Sequence, residues 1–204
     1  MSESELIVVR HGQTEWSESG QHTGTTDIPL TEVGEAQARH LLDELGDRTF
    51  AAVLVSPRQR ARRTAELAGL EDLEVLEDLV EWDYGTLEGR TTAEYLATRE
   101  AAGLGPWNLW DDGAPGGEDA ASVGVRVDRV LRRARAALRD GDVLIVAHSH
   151  LLRVLAARWL GLPARNGSGF LLDAAHRSVL TTARGFPAVR YWNIPPTAPE
   201  PGRE

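Results

Sequence analysis

Four short apolar runs, each broken off by a polar or charged cluster, constrain the fold of this chain more than any other feature. Leu6-Ile7-Val8-Val9 stops at Arg10-His11-Gly12, and Ala51 to Val55 stops at Ser56-Pro57-Arg58-Gln59-Arg60. Glu74 to Leu79 is followed by Glu81, and Val143 to Ala147 stops at His148-Ser149-His150. Continuous apolar runs of this length, rich in Val, Ile and Leu, fit strands that are buried on both faces. Helical spacings lie between them. Val33, Ala36, Ala38, Leu41, Leu42 and Leu45 form one apolar stripe, with Thr31 as N-cap and Gly46 as stop. Pro57 opens a second helix with Ala61, Ala65 and Ala68 on one face, and Thr91 to Ala102 reads as a third.

A Gly/Pro/Trp-rich loop from Gly103 to Asp119 precedes a long amphipathic helix carrying Val123, Val127, Val130, Leu131, Ala134 and Leu138 and ending near Gly141. The arginines of that helix (126, 129, 132, 133, 135 and 139) read mostly as a solvated face. Leu151 to Leu160 is a further helix. Strands are expected at Gly169 to Asp173 and Ser178 to Ala183, with Val189 to Trp192 as another candidate. Strands alternating with helices predict a three-layer α/β/α fold with a mostly parallel central sheet. We expect a single domain over 1–194, a helical and loop cap around 91–120, and a flexible tail over 195–204.

Composition removes several functions. The net charge of −9 opposes a nucleic-acid partner, which requires a basic face. The chain has no cysteine, so thiolate metal sites and disulfides are absent. All 22 basic residues are arginine, which excludes a Schiff-base or P-loop lysine; GC-rich coding is explanation enough for the bias. No apolar run is long enough to span a bilayer, and Met1 to Glu5 lacks the basic start of a secretory signal, so a cytoplasmic protein is expected.

In an open α/β sheet, ligands bind beyond the carboxyl ends of the strands. The four polar clusters share that edge. A phosphomonoester is a dianion near neutral pH, and Arg10 and Arg60 suit its oxygens as planar, permanent cations. A neutral imidazole at His11 can attack phosphorus, and His148 can donate to the transferring oxygens. Glu81 can protonate the leaving alkoxide and then deprotonate water. Phosphoryl transfer is mainly positioning and charge stabilisation, so neither metal nor cofactor is expected. Taken singly, each residue has a plainer role, since arginines at strand ends and helix starts are ordinarily surface charges. His148 and His150 also have the two-apart spacing of metal ligands, with His22 and His176 as candidates to complete a shell.

The segments "VVRHGQTEW", "SPRQRARRTAE", "EWDYGTLEG" and "VAHSHLLR" resemble, in order and spacing, the four motifs of the histidine phosphatase (phosphoglycerate mutase-like) superfamily, from Leu6 to about Leu162. The resemblance implies a nucleophile at His11 beside Arg10, a second phosphate-binding arginine at Arg60, a proton donor at Glu81 and a second active-site histidine at His148. It also implies phosphate contacts at Ser17, Thr23 and Gly24. The chain departs from the family pattern at Ser17, where many relatives carry asparagine, and at Ser149, where glycine is usual.

Mutases of this family hold the substrate carboxylate with a lysine and adjacent arginines after the proton-donor motif. Here there is no lysine, and Thr91 to Gly117 contains only Arg99, which favours a phosphatase over a bisphosphoglycerate-dependent mutase. A non-catalytic phosphate-binding module on the same fold is the remaining alternative, and it would need neither His11 nor Glu81. The pattern is similar to the branch holding sedoheptulose-1,7-bisphosphatases and broad-specificity acid phosphatases. A small, sugar-like phosphorylated metabolite is therefore the expected partner, and a homodimer is admitted. His22, Asp83 and Tyr84, with Ser17, Thr23, Gly24 and Ser149, are the substrate-binding candidates. Trp107 and Trp110 either close over the site or pack the loop onto the body.

Overall fold

The computed structural model describes residues 4–46 and 48–196. Six strands form one sheet: β1 (Leu6–Arg10), β2 (Phe50–Val55), β3 (Leu73–Val75), β4 (Asp142–Ala147), β5 (Arg177–Ala183) and β6 (Phe186–Ile194). Their order is β3-β2-β4-β1-β5-β6. The first four run parallel, and β5 and β6 close one side as antiparallel neighbours. The helices are α1 (Glu15–Ser19), α2 (Glu32–Leu45), α3 (Gln59–Leu67), α4 (Thr92–Ala101), α5 (Leu109–Asp112), α6 (Ala120–Ala137) and α7 (Ser149–Trp159).

Alternation along each strand explains the unbroken apolar runs. Ile7 and Val9 of β1, Val53 and Val55 of β2, and Leu144 and Val146 of β4 pack with Leu41 and Leu45 of α2 and Ala61 and Ala65 of α3. Leu6, Val8, Leu54, Val143 and Ile145 point the other way, onto Val123, Val127 and Val130 of α6 and Leu151 and Leu155 of α7. Both faces are covered, so no position alternates with a polar one. Each such side chain contributes roughly 1.5–3 kcal/mol when fully buried.

Local signals set the helix ends where the sequence places them. The Thr31 side chain accepts from the Gly34 amide and Gly46 ends α2 in a positive-φ conformation. Thr91 and Glu94 form a reciprocal capping box at the start of α4.

Two expectations fail, and one holds with an exception. Gly169 to Asp173 is not a strand. The Leu172 carbonyl accepts from Arg10 and Ser149 side chains, and the Asp173 amide donates to Asn193, so these groups are not available to a ladder. Of the third run only Glu74 and Val75 pair, in a strand that begins one residue earlier at Leu73; Glu77–Leu79 turns as a single 3₁₀ turn. On α6, Arg129 and Arg133 do form exposed ion pairs with Asp78 and Glu74, but Arg126 is buried. The expected tail lies outside the described residues from 197 onward. Among the described residues, no helix is long and apolar enough to cross a membrane.

Candidate active site

Sheet register delivers the first part of the site. Val9 and Val55 both stand opposite Val146 of β4, and Arg10 stands opposite Ala147. His11 and His148 therefore emerge at one level, with Ser56 one residue below them, level with Arg10 and Ala147. The His11 amide donates to the Ala147 carbonyl at 3.0 Å, which carries the ladder one residue beyond β1.

His11 is buried and its ring lines a cavity of about 310 Å³. Its Nδ1 lies 2.8 Å from the Gly12 carbonyl, which can only accept, so Nδ1 carries the proton. That leaves Nε2 with its lone pair free. Burial holds the imidazole well below its ordinary pKa, and the Arg60 and Arg10 cations push it further down. The ring is held neutral, with a lone pair open on Nε2. Its backbone is wedged in place: a Cβ on Gly12 would meet the Gly34 carbonyl at 2.4 Å, and one on Gly34 would meet the Gln13 carbonyl at 2.1 Å. Only two glycines allow the β1 exit and α2 to approach this closely.

Arg10 lines the same cavity. Its Nη1 donates to the Leu172 carbonyl at 2.7 Å, while its buried Nε has no partner. A buried unpartnered donor costs free energy, and an anion seated beside His11 is the acceptor that suits it.

Arg60 and His148 form the floor rather than the wall. Arg60 is fully buried, and its donors are directed to backbone: Nη1 to the Thr26 carbonyl at 2.9 Å, and Nη2 to the carbonyls of Thr23 at 3.0 Å and Gly24 at 3.4 Å. Its Nε donates to His148 Nδ1 at 3.3 Å, so the His148 proton sits on Nε2 and is donated to Ser56 Oγ at 2.7 Å. The His148 ring stands edge-on to His11, 5.1 Å between centroids. Burial and the Arg60 charge keep it neutral. The expected two-arginine fork thus resolves into one arginine at the cavity wall and one beneath it, supplying positive field and holding the 23–26 loop.

Glu81 reaches the cavity from a segment without ladder bonds. Its Oε1 accepts from the amides of Trp82 at 2.8 Å and Leu151 at 2.9 Å, and Oε2 accepts from the His150 amide at 3.1 Å. Two of these donors belong to the first turn of α7, where a carboxylate is favoured by the helix dipole.

The remaining candidates divide. Ser17, His22, Thr23, Tyr84 and Ser149 line the cavity. Ser17 Oγ is also engaged in the cap of α1, accepting from the Thr14 amide, and Ser149 Oγ donates to the Leu172 carbonyl. Gly24 and Asp83 do not line it. The Gly24 amide donates to the Glu88 carboxylate instead, and Asp83 Oδ1 accepts from the Gly85 amide in a local turn. Gly24 trades the expected ligand contact for a side-chain carboxylate, and Asp83 trades it for a backbone amide.

Trp107 is buried on Tyr95 and donates to the Gly113 carbonyl; Trp110 packs between Trp82, His150 and Arg153. Both pack the loop onto the body, and neither lines the cavity.

The structure adds Trp16, Gln21, Thr92 and His150 to the lining. His150 Nδ1 and Tyr84 Oη are 2.7 Å apart, and burial keeps the imidazole neutral and the phenol protonated. The two-apart histidine spacing drew attention to His150 only as a metal ligand. Thr92 carries no sequence signal, because its place depends on how α4 docks. Among the described residues, no group of three or more His, Asp or Glu side chains is arranged to hold a metal ion.

Comparison with known proteins fits this geometry. The model of the histidine phosphatase superfamily (branch 1) matches residues 6–195. The chain is 42% identical over 173 residues to an acid phosphatase of Mycobacterium tuberculosis, covering 83% of this chain and 82% of that one. It is 40% identical over 182 residues to the sedoheptulose 1,7-bisphosphatase of Saccharomyces cerevisiae, covering 76% and 67%. A solved Mycobacterium tuberculosis open reading frame superimposes with a TM-score of 0.88 at 36% identity, covering 95% and 99%. A parallel sheet with His11 and Arg10 at its carboxyl edge, together with these matches, makes the protein a phosphatase that belongs to the histidine phosphatase superfamily, branch 1.

Proposed function

We propose that the protein hydrolyses the phosphomonoester of a small sugar or polyol through a phosphohistidine at His11, without a metal ion. The observation that carries the reading is the free Nε2 of a neutral His11, beside the unpartnered Nε of Arg10.

His11 Nε2 attacks phosphorus as the bond to the alcohol oxygen breaks, and Glu81 gives its proton to that oxygen. Water then attacks the phosphohistidine and passes a proton back to Glu81. The P–N bond breaks, releasing phosphate and neutral His11. Arg10 and the field of Arg60 stabilise the charge on the phosphoryl oxygens. His148, 5.1 Å from His11, fixes the orientation of Arg60, and donates to a phosphoryl oxygen when its Nε2 exchanges Ser56 for the substrate.

The sugar reading is supported by the rest of the lining. His22, Thr92, Tyr84 and His150 offer neutral donors and acceptors, and the faces of Trp16 and Tyr84 suit the C–H faces of a polyol. It agrees with the relative named sedoheptulose 1,7-bisphosphatase.

Denaturing alkaline quench during turnover of a ³²P-labelled sugar phosphate tests the mechanism. We expect an acid-labile, alkali-stable label on the enzyme, none on His11→Ala, and a turnover loss of about 10⁴-fold or more in that variant. Chelator is expected to leave kcat/KM unchanged. Label on His11→Ala, or activity restored to chelated enzyme by a divalent cation, overturns the proposal.

A further inference from the structure

We propose that Arg126 of α6 is a positioning residue for proton transfer at Glu81; the inference rests on the proton-donor role given to Glu81 above. The neighbouring arginines of α6 make exposed ion pairs, but Arg126 is only 7% exposed and reaches inward. A guanidinium has five N–H donors in a fixed plane. Here each has its own acceptor. Nε and one Nη2 hydrogen grip the two oxygens of Glu118, each at 2.9 Å. The other Nη2 hydrogen goes to the Glu81 carbonyl at 3.1 Å, and Nη1 goes to the carbonyls of Asp78 and Val80.

Those three carbonyls lie in the segment that brings Glu81 to the cavity, and that segment belongs to no strand. The sheet register that fixes His11 and His148 therefore does not fix Glu81. Arg126 takes its place. Glu118 extends the clamp: its Oε2 also accepts from the Asp83 amide, its amide donates to the Asp83 carbonyl, and its carbonyl accepts from Trp82 Nε1. Residues 78–83 are thus held from below by one arginine–carboxylate pair, while the amides of Trp82, His150 and Leu151 hold the Glu81 carboxylate from above. Without the lower clamp, the carboxyl is free to shift relative to the leaving oxygen. Lysine, with three donors on one atom, cannot replace the planar fork.

Leaving-group dependence separates this role from a merely structural one. An alkyl phosphate needs a proton on its departing oxygen, and 2,4-dinitrophenyl phosphate does not. We expect Glu81→Gln to lower kcat/KM for glycerol phosphate by about 10³-fold while changing that for the dinitrophenyl ester by no more than about 3-fold. Arg126→Met is expected to show the same pattern at about 10²-fold, and Arg126→Lys an intermediate one. If Arg126→Met does not fold, as judged by circular dichroism, Arg126→Lys is read by the same criterion. Selective loss for the alkyl ester in the Arg126 variants supports the proposal. Equal loss for both esters, or none, overturns it and leaves Glu81 as the donor. If Glu81→Gln itself is indifferent to the leaving group, the donor role fails and the inference falls with it.

Discussion

The inner end of the cavity, with Arg10 and His11 on its wall and Arg60 and His148 as the floor, follows three neighbouring strands, Arg60 from the first turn of α3, and Arg60 and His148 are wholly buried. At the rim, His22, Tyr84, Thr92 and His150 come from loops and helix starts, joined by two isolated bridges, Gln21 with Thr91 and His22 with Glu88. The floor is fixed by a ladder of main-chain bonds that a side-chain change does not move. Beyond those two bridges, the rim is held by side chains touching side chains, such as Tyr84 on His150 and His22 on Thr92. Under the proposed function, the chemistry common to many phosphoesters falls to the rigid part, and recognition of the alcohol to the part that varies at low structural cost.

Substitutions at the two levels should differ in kind. Of the substitutions that set the two levels apart, the largest effect is expected from Arg60→Lys, which loses the planar fork on the Thr23, Gly24 and Thr26 carbonyls and the bond to His148. We expect kcat/KM to fall about 100-fold for every substrate alike, measured across several sugar phosphates. Substrate-selective loss would move Arg60 from floor to rim.

Gly12→Ala places a methyl group 2.4 Å from the Gly34 carbonyl, and forcing β1 and α2 apart should destabilise the fold by about 1–3 kcal/mol in urea titration. An unchanged unfolding midpoint would mean that the floor is softer than its packing implies.

Acid tests the buried imidazoles of both levels together. Burial depresses His11, His148 and His150 well below the ordinary histidine value of about 6.5. Below that value the unfolded chain binds protons that the folded chain does not, so stability is present above it and is lost as pH falls toward the folded values. The urea midpoint should therefore drop between pH 7 and pH 5, and His150→Gln should flatten that dependence. Meanwhile kcat/KM should show no acid limb at 6.5, because His11 stays neutral below it.

The smallest effect belongs to Tyr84→Phe. Losing one hydrogen-bonding hydroxyl at the rim should raise KM about 2- to 10-fold for sugar phosphates, with kcat little changed. A loss in kcat without change in KM would place Tyr84 with the floor.

Much of the floor was legible because it rests on short-range rules. Apolar runs marked β1, β2 and β4, and the residues directly after them are His11, Ser56 and His148. Thr31 with Gly46 and Thr91 with Glu94 bounded α2 and α4 through bonds that close within a few residues. The rim was read less well. Asp83 carries the right chemistry for a hydroxyl but turns its carboxylate to Gly85, and the Gly24 amide faces Glu88, 64 residues away. Neither choice is visible locally.

By itself, then, the sequence determined the alternation of strands and helices, the shared edge of the sheet, and the polar and charged residues gathered there, since periodicity, capping and strand termination are local properties of the chain. Only the tertiary structure decided how each polar group is used: Arg60 downward into a loop, Arg126 inward beneath Glu81, Trp107 into the body, and Leu172 as an acceptor for Arg10 rather than part of a strand. A buried donor takes whichever acceptor long-range packing brings within about 3 Å, and that distance is set by elements far apart in the chain.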